Sequence, residues 1–193
     1  MSADQKSLFV IMPAQEQMLK RAKLSPDGKY RWWLTREWSD EAKPSRACWV
    51  MLNPSTADDK IDDPTIRRCI SFTKRRGFGA LIVVNLFALR STDPKALKNH
   101  YGPDHDFGEE NAVIMEATKN SHEVICAWGN GGGLLCRGDD VGRMLERAGV
   151  VPLCFGTTGA EEPRHPLYVR SDEPVTMLPT WADMQDVRER RLP

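Results

Sequence analysis

The sequence has no surplus charge: 27 basic side chains stand against 27 acidic ones, for a formal net charge of +0. That balance excludes holding a polyanion by bulk charge alone, although a local basic patch can sit inside a neutral total. No apolar run approaches the roughly 20 residues that cross a bilayer. The N-terminal LFVIM, Leu8 to Met12, is too short for a signal-peptide core and lacks a cleavage pattern. The expectation is a cytoplasmic protein without membrane contact. There is no C-x-x-C pair: Cys48, Cys69, Cys126, Cys136 and Cys154 are odd in number and scattered, unlike a disulfide framework, a zinc site or an iron–sulfur ligand set. Neither a Walker phosphate loop nor G-x-G-x-x-G occurs, and there is no internal repeat or low-complexity linker.

What is present is ordinary for a folded domain. A chain of 193 residues with 40% hydrophobic and 28% charged side chains can bury a core of its own. We expect one domain over residues 1–193, with a core at 45–170, an N-terminal helix and strand within 13–38, and an irregular tail at 171–193. PAQEQMLKRAKL, residues 13–24, has the spacing of a short amphipathic helix. The turn SPDG leads into KYRWWLTREW, which alternates as a strand does. SRACWVML and GALIVVNLFAL are continuous apolar runs of the kind covered on both faces, and EVICAW and VVPLCFG follow the same pattern. Asp63-Pro64 opens a helix that stops at Gly77, Asp93-Pro94 opens another, and helices are expected over EENAVIMEATKN and DDVGRMLERAG. EEPRHPLYV reads as a loop entering a short extended segment. Strand, loop and helix recur, which predicts an α/β sandwich with a mainly parallel sheet and ligands outside the strand carboxyl ends.

The polar residues at those ends are the ones to weigh. Asn53, Pro54, Ser55 and Thr56 are turn formers as well as candidate ligand contacts. Asp58, Asp59, Asp62 and Asp63 suggest a cation, but D-D-K-I-D-D lacks the calcium-loop spacing and its glycine, so no metal and no cofactor are expected. Asn85 interrupts the apolar VV-N-LF; a buried amide that finds no partner costs about 1–3 kcal/mol, so it either ties down a neighbouring loop or reads a ligand edge. AWGNGGG, with Gly129, Asn130 and Gly131, offers backbone N–H groups ahead of a helix. His165 lies in a Pro-flanked loop, where a lone His is more often structural.

In this order MLNPST, IVVNLFALRST, VICAWGNGG and RHPLYV resemble the motifs of the uracil-DNA glycosylase superfamily, especially its mismatch-specific branch. The narrower pattern LNPSTAD, DPTIRRC, VVNLFALR and AWG is similar to domain-of-unknown-function family 1643, whose name gives no activity. The superfamily resemblance implies a three-layer sandwich around a mainly parallel sheet. It further implies that Asn53 holds an attacking water by its amide carbonyl, that Asn85 pairs with a pyrimidine edge, and that His165 donates to an oxygen of the departing base. Pro54, Ser55, Thr56, Arg90, Trp128 and Gly129 complete the base contacts; Arg67, Arg68, Asn130 and Gly131 contact phosphate. The DDPTIRR helix is expected to aim its N-terminus at the site. Three motif positions depart: Leu52 and Ser55 stand where the motif has glycines, and Leu167 where it has serine. The first expectation is therefore a glycosylase-like protein that binds or excises a modified or mispaired base in nucleic acid. A nucleoside or nucleotide hydrolase or binder is the second, and a non-enzymatic interaction domain the third.

Overall fold

The computed structural model describes residues 18–180 and 183–184. Its strands are β1 (Leu19–Leu24), β2 (Arg31–Glu37), β3 (Arg46–Met51), β4 (Ala80–Asn85), β5 (Glu123–Cys126), β6 (Pro152–Cys154) and β7 (Thr176–Met177), and its helices are α1 (Pro64–Arg75), α2 (Pro94–His100), α3 (Gly108–Lys119) and α4 (Arg137–Arg147). Short 3₁₀ segments cover Gly129–Cys136 and Pro166–Tyr168.

The strands form one seven-stranded sheet in the order β1-β2-β4-β3-β5-β6-β7. Its four middle strands, β4, β3, β5 and β6, are parallel neighbours. The outer pairings, β1 with β2, β2 with β4 and β6 with β7, are antiparallel. The sheet is therefore mixed, which corrects the mainly parallel expectation. Two misread segments account for much of the difference. LKRAKL, expected within a helix, is β1: pairing Leu19 with Glu37 through to Leu24 with Arg31 satisfies the open edge of β2, and that tertiary demand overrides local helical spacing. Residues 13–17 of the expected helix lie outside the described residues. The tail after Arg170 is not wholly irregular either, since Thr176 and Met177 pair with Cys154 and Leu153. The segment after His165 is a 3₁₀ turn rather than an extended piece.

Both faces of the sheet are packed. On one, Val50, Val84, Cys126 and Cys154 meet Leu97, Ile114, Val141 and Leu145 from α2, α3 and α4. On the other, Trp49, Leu81 and Ile125 meet Ile66, Cys69 and Phe72 of α1, with Phe155 stacked on Trp49 at 5.8 Å between ring centres. Helix α1 starts where expected because Asp63 Oδ1 accepts the Ile66 N–H at 2.8 Å and Pro64 fits the first turn. Gly77, at φ 81°, ends it.

The polar loop between β3 and α1 is held from beneath. Arg36, fully buried, reaches Asp62 Oδ1 from Nε at 2.6 Å and the Asp58 carbonyl from Nη2 at 2.5 Å. Lys20 also meets Asp62 at 2.6 Å. The Lys60 and Ile61 N–H groups both bond Asp58 Oδ1 at 2.8 Å and hold its carboxyl below the usual range. Three of the four aspartates are thus accounted for by loop, strand and helix contacts.

Candidate functional site

A cleft of about 480 Å³ opens where β3, β4 and β5 finish, the place that doubly wound sheets reserve for ligands. Strand β2 runs against β4, with Leu34 opposite Val83, so its first residue rather than its last lies at this end. Asn53, Asn85 and His165 line the same cleft, brought there from the end of β3, the end of β4 and the loop after β6.

Asn85 is 4% exposed, and among the described residues neither its Nδ2 nor its Oδ1 has a hydrogen-bond partner. Its backbone is firmly placed: β4 pairs with β3 in register through Met51 and Asn85, and beyond it Leu86 N–H donates to Met51 O at 2.9 Å and Phe87 N–H to Leu52 O at 3.0 Å. A rigid strand end therefore presents an amide whose donor and acceptor are both unused.

Asn53 differs. Its Nδ2 donates to the carbonyls of Ser91 at 2.9 Å, Pro54 at 3.1 Å and Leu89 at 3.4 Å. Three acceptors around one atom identify it as the nitrogen, so Oδ1 is the oxygen left without a donor among the described residues. His165 Nδ1 accepts the Leu167 N–H at 3.4 Å, which puts the ring proton on Nε2. Burial lowers the imidazole pKa from its ordinary value, with Asp63 opposing the shift, so the ring is neutral near pH 7. Gly129 lies against His165: at φ 67°, a backbone conformation that favours glycine, it donates its N–H to Pro163 O at 2.8 Å, and a Cβ there would make ordinary contact with His165 Cβ at 3.5 Å.

Ser55, Trp128, Gly129 and Asn130 also line the cleft. Trp128 is anchored by Nε1 to Glu162 Oε2 at 2.7 Å, and Asn130 Oδ1 accepts from Thr158 Oγ1 at 2.5 Å. Six other expected contacts do not line it. Pro54 and Thr56 act through their carbonyls, which accept from Asn53 and Arg90. Arg90 itself clamps the SPDG turn, donating to Gly28 O at 3.1 Å. Gly131 is packed so tightly on Leu52 that a Cβ would lie 2.3 Å from Cδ2. Arg67 turns back to the Asp62 carbonyl. Arg68 ties down the following chain, with Nη2 to Val169 O at 2.5 Å and Nη1 to Ser171 Oγ at 2.9 Å. Neither α1 arginine therefore faces the cleft, because the helix turns Ile66, Cys69 and Phe72 inward and leaves 67 and 68 on its flanks.

The cleft holds residues that sequence reasoning did not single out. Arg31 is 2% exposed; Nη1 donates to Ala57 O at 2.8 Å while Nε has no partner among the described residues. Burial pulls its pKa down to about 10, with Asp63 the leading charge that opposes this, so it remains a cation at neutral pH. Asp63, weighed in the sequence as a helix cap and as part of an acidic run, and Thr65 both line the cleft, so the α1 N-terminus is at the site as the DDPTIRR pattern led us to expect. Arg164, Thr158 and Tyr168 arrive from the loop after β6; Arg164 and Tyr168 belong to the RHPLYV motif but were not singled out beside His165, and Tyr168 is 84% exposed at the rim. The arrangement can read the edge of a planar amide, place a water or hydroxyl at Asn53 Oδ1, and donate from a neutral imidazole.

Among the described residues no three His, Cys, Asp or Glu side chains cluster as a metal would need, and no helix is long and apolar enough to cross a membrane. No curated protein and no solved structure matches the chain. A family described as protein of unknown function, DUF1643, matches residues 31–167. The match begins at Arg31 and takes in Asn53, Asn85 and His165, and the chain belongs to this family.

Proposed function

We propose that the cleft receives a single nucleobase and that the protein hydrolyses its N-glycosidic bond, as proteins of the uracil-DNA glycosylase superfamily do. The observation that carries this reading is the Asn85 carboxamide, buried at the cleft with both hydrogen-bonding atoms unused. A scaffold amide would have partners within the protein, because leaving them out costs about 1–3 kcal/mol; a readout amide waits for its ligand. The nucleobase edge offers the matching pair, an N–H beside a carbonyl oxygen.

The other two residues fit the chemistry. Cleaving the bond builds positive charge on the sugar and negative charge on the base, as in other oxocarbenium-like reactions. Asn53 Oδ1 orients a water toward C1′; the C1′–N bond breaks with the bonding pair going to the base, the water oxygen bonds C1′, and the proton the water gives up passes through solvent to the departing base anion. His165 Nε2–H faces the base oxygen where charge collects, a position at which one fixed donor contributes about 2.7–4 kcal/mol. The base reaches the cleft by leaving its stack, and exposed Tyr168 at the rim offers a ring for a neighbouring base to stack on. The accompanying architecture is a three-layer sandwich like that of the superfamily, with α1 on one face of the sheet and α2, α3 and α4 on the other.

The zero net charge favours few phosphate contacts over a long duplex footprint. Salt separates a strand from a free nucleoside or nucleotide as substrate. Binding that neutralises several phosphates weakens with a log–log slope of about −0.9 per contact on B-DNA, whereas a small ligand gives a shallow slope. The test incubates the protein with single-stranded, matched and mispaired oligonucleotides carrying uracil, thymine or damaged bases, and with free nucleosides. Released base is measured by chromatography and binding by calorimetry. Expected are binding of one base class and loss of that selectivity in Asn85→Asp, which keeps the shape but replaces the amide donor by an acceptor. Equal binding of all bases by wild type and variant would remove the proposal.

A further inference from the structure

The geometry points to an anion subsite beside the base position, built on Arg31, so that the ligand is a phosphorylated nucleotide unit rather than a bare base or nucleoside. The inference rests on the base-binding reading above and adds the second half of the ligand.

Two buried polar side chains at this cleft have hydrogen-bonding atoms without partners, and they differ in kind. Asn85 offers a neutral donor and acceptor, whereas Arg31 offers a cation. Among the described residues only Nη1 of the Arg31 guanidinium is engaged, with Ala57 O at 2.8 Å, while Nε–H has no acceptor and no hydrogen bond involves Nη2. Nε and Nη2 form the side of the guanidinium that matches two oxygens of a phosphate or carboxylate. The Ala57 bond fixes the opposite corner, so this edge is preset rather than free to rotate.

Three further features favour an anion there. Arg164 lines the same cleft from the opposite loop, its Nε held by Thr157 O at 2.9 Å. The twelve-residue helix α1 begins at the cleft; Asp63 Oδ1 takes the Ile66 N–H and Asp63 O takes the Arg67 N–H, which leaves the Thr65 N–H without an acceptor among the described residues. The cleft charges are then Arg31 and Arg164 against Asp63, with His165 neutral, a net of one positive charge. Among the surrounding charges Asp63 gives the protonated Arg31 its largest support. The cleft of about 480 Å³ has the size range of a small-molecule site and suits one nucleotide.

A free nucleotide and a nucleotide within a strand present the same phosphate chemistry, and the experiment separates them. Titration calorimetry on the full chain compares uridine, thymidine and cytidine with their 5′- and 3′-monophosphates, and with short oligonucleotides containing the same bases. Expected is at least a tenfold preference for one monophosphate over its nucleoside. In Arg31→Met and, separately, in the exposed Arg164→Gln, the ratio of nucleotide to nucleoside affinity falls toward one. If Arg31→Met fails to fold, Arg164→Gln together with a salt titration of the wild type carries the same test. Equal affinity of nucleoside and nucleotide in the wild type overturns the subsite but leaves the base reading standing, and shows Arg31 to be only the counter-ion of Asp63. A preference that survives both substitutions also overturns it. Failure of every nucleoside and nucleotide to bind removes the base reading and this inference with it. Both remaining results support the subsite: affinity no greater for the oligonucleotide identifies a free nucleotide, and greater affinity with a steeper salt slope identifies a phosphodiester in a strand.

Discussion

Strand β2 buries two arginines, Arg36 with no exposed surface and Arg31 at 2%. Both reach the loop between β3 and α1. Arg36 makes five hydrogen bonds there and nearby, to Asp62, Asp58 O, Ile61 O, Thr35 O and Arg21 O. Arg31 makes one, to Ala57 O. The same residue type on the same strand thus does two jobs. Around Arg36 the donors have found acceptors within the protein, as a load-carrying ion pair requires. Around Arg31, as around Asn85, the scaffold holds a polar group in place and withholds its partner. A buried side chain that is fixed but unsatisfied marks a site more sharply than polarity alone.

The comparison is open to breakage at several points. The largest effect belongs to Arg36→Met, which removes five hydrogen bonds beneath the loop and leaves Asp62 with Lys20 as its remaining cationic partner; the expected loss is about 3–5 kcal/mol in urea unfolding. A loss below 1 kcal/mol would mean the loop does not depend on this arginine. Asn85→Leu has the opposite sign: with no internal partner to orphan, the unfolding free energy holds or rises, by up to about 1–3 kcal/mol, while base binding disappears. A clear drop in stability would return Asn85 to the scaffold. Gly129→Ala forces a side chain into φ 67°, while its Cβ would meet His165 at an ordinary contact distance of 3.5 Å; the strain lies in the backbone, and a loss of about 1–2 kcal/mol is expected together with weakened ligand binding as the cleft wall adjusts. Unchanged binding would separate Gly129 from the positioning of His165. Arg31→Met removes a single hydrogen bond and a poorly solvated cation, so stability should move by no more than about 1.5 kcal/mol in either direction; a loss matching that of Arg36→Met would erase the distinction between them.

The smallest effect is a pH dependence. His165 takes up a proton less readily folded than unfolded, because its pKa is lowered by burial. Its contribution to stability is therefore fully present above the unfolded value near 6.5 and is lost as pH falls through the lower folded value. Protonation also sets an Nδ1–H against the Leu167 N–H that it now accepts. Melting curves between pH 7.5 and 5 should decline less steeply for His165→Gln than for the wild type, and parallel curves would show that this ring does not titrate in the range.

Much of the framework was legible before any coordinates. The continuous runs in β3, β4 and β5, the Asp63-Pro64 helix start and the Gly77 stop follow from local rules, and Asn85 was visible as a polar break in an apolar strand. Three things were not legible. LKRAKL carries helix-compatible spacing, and only the open edge of β2 makes it a strand. Arg31 gave no signal, because a basic residue in an alternating strand is normally taken as solvent-facing; its place at the cleft follows from β2 running antiparallel, which no local pattern encodes. Arg67 and Arg68 were expected at an anion because they lie near the helix start, but helical phase sends them to Asp62 and to the 166–171 segment.

Strand β1 bears on how copies of the molecule behave toward one another. It is the outermost strand at one end of the sheet and carries an unpaired row of backbone groups among the described residues, the kind of edge that invites a second chain to add on. Arg21 and Lys23, two residues apart on its exposed side, place positive charge along that row, while Lys20 is paired with Asp62. Two such edges meeting would bring like charges together. At the other end β7 is only two residues long and offers little to extend. Charge guards one edge and brevity the other, so only the first protection depends on the medium, weakening as ionic strength shortens the Debye length below about 8 Å.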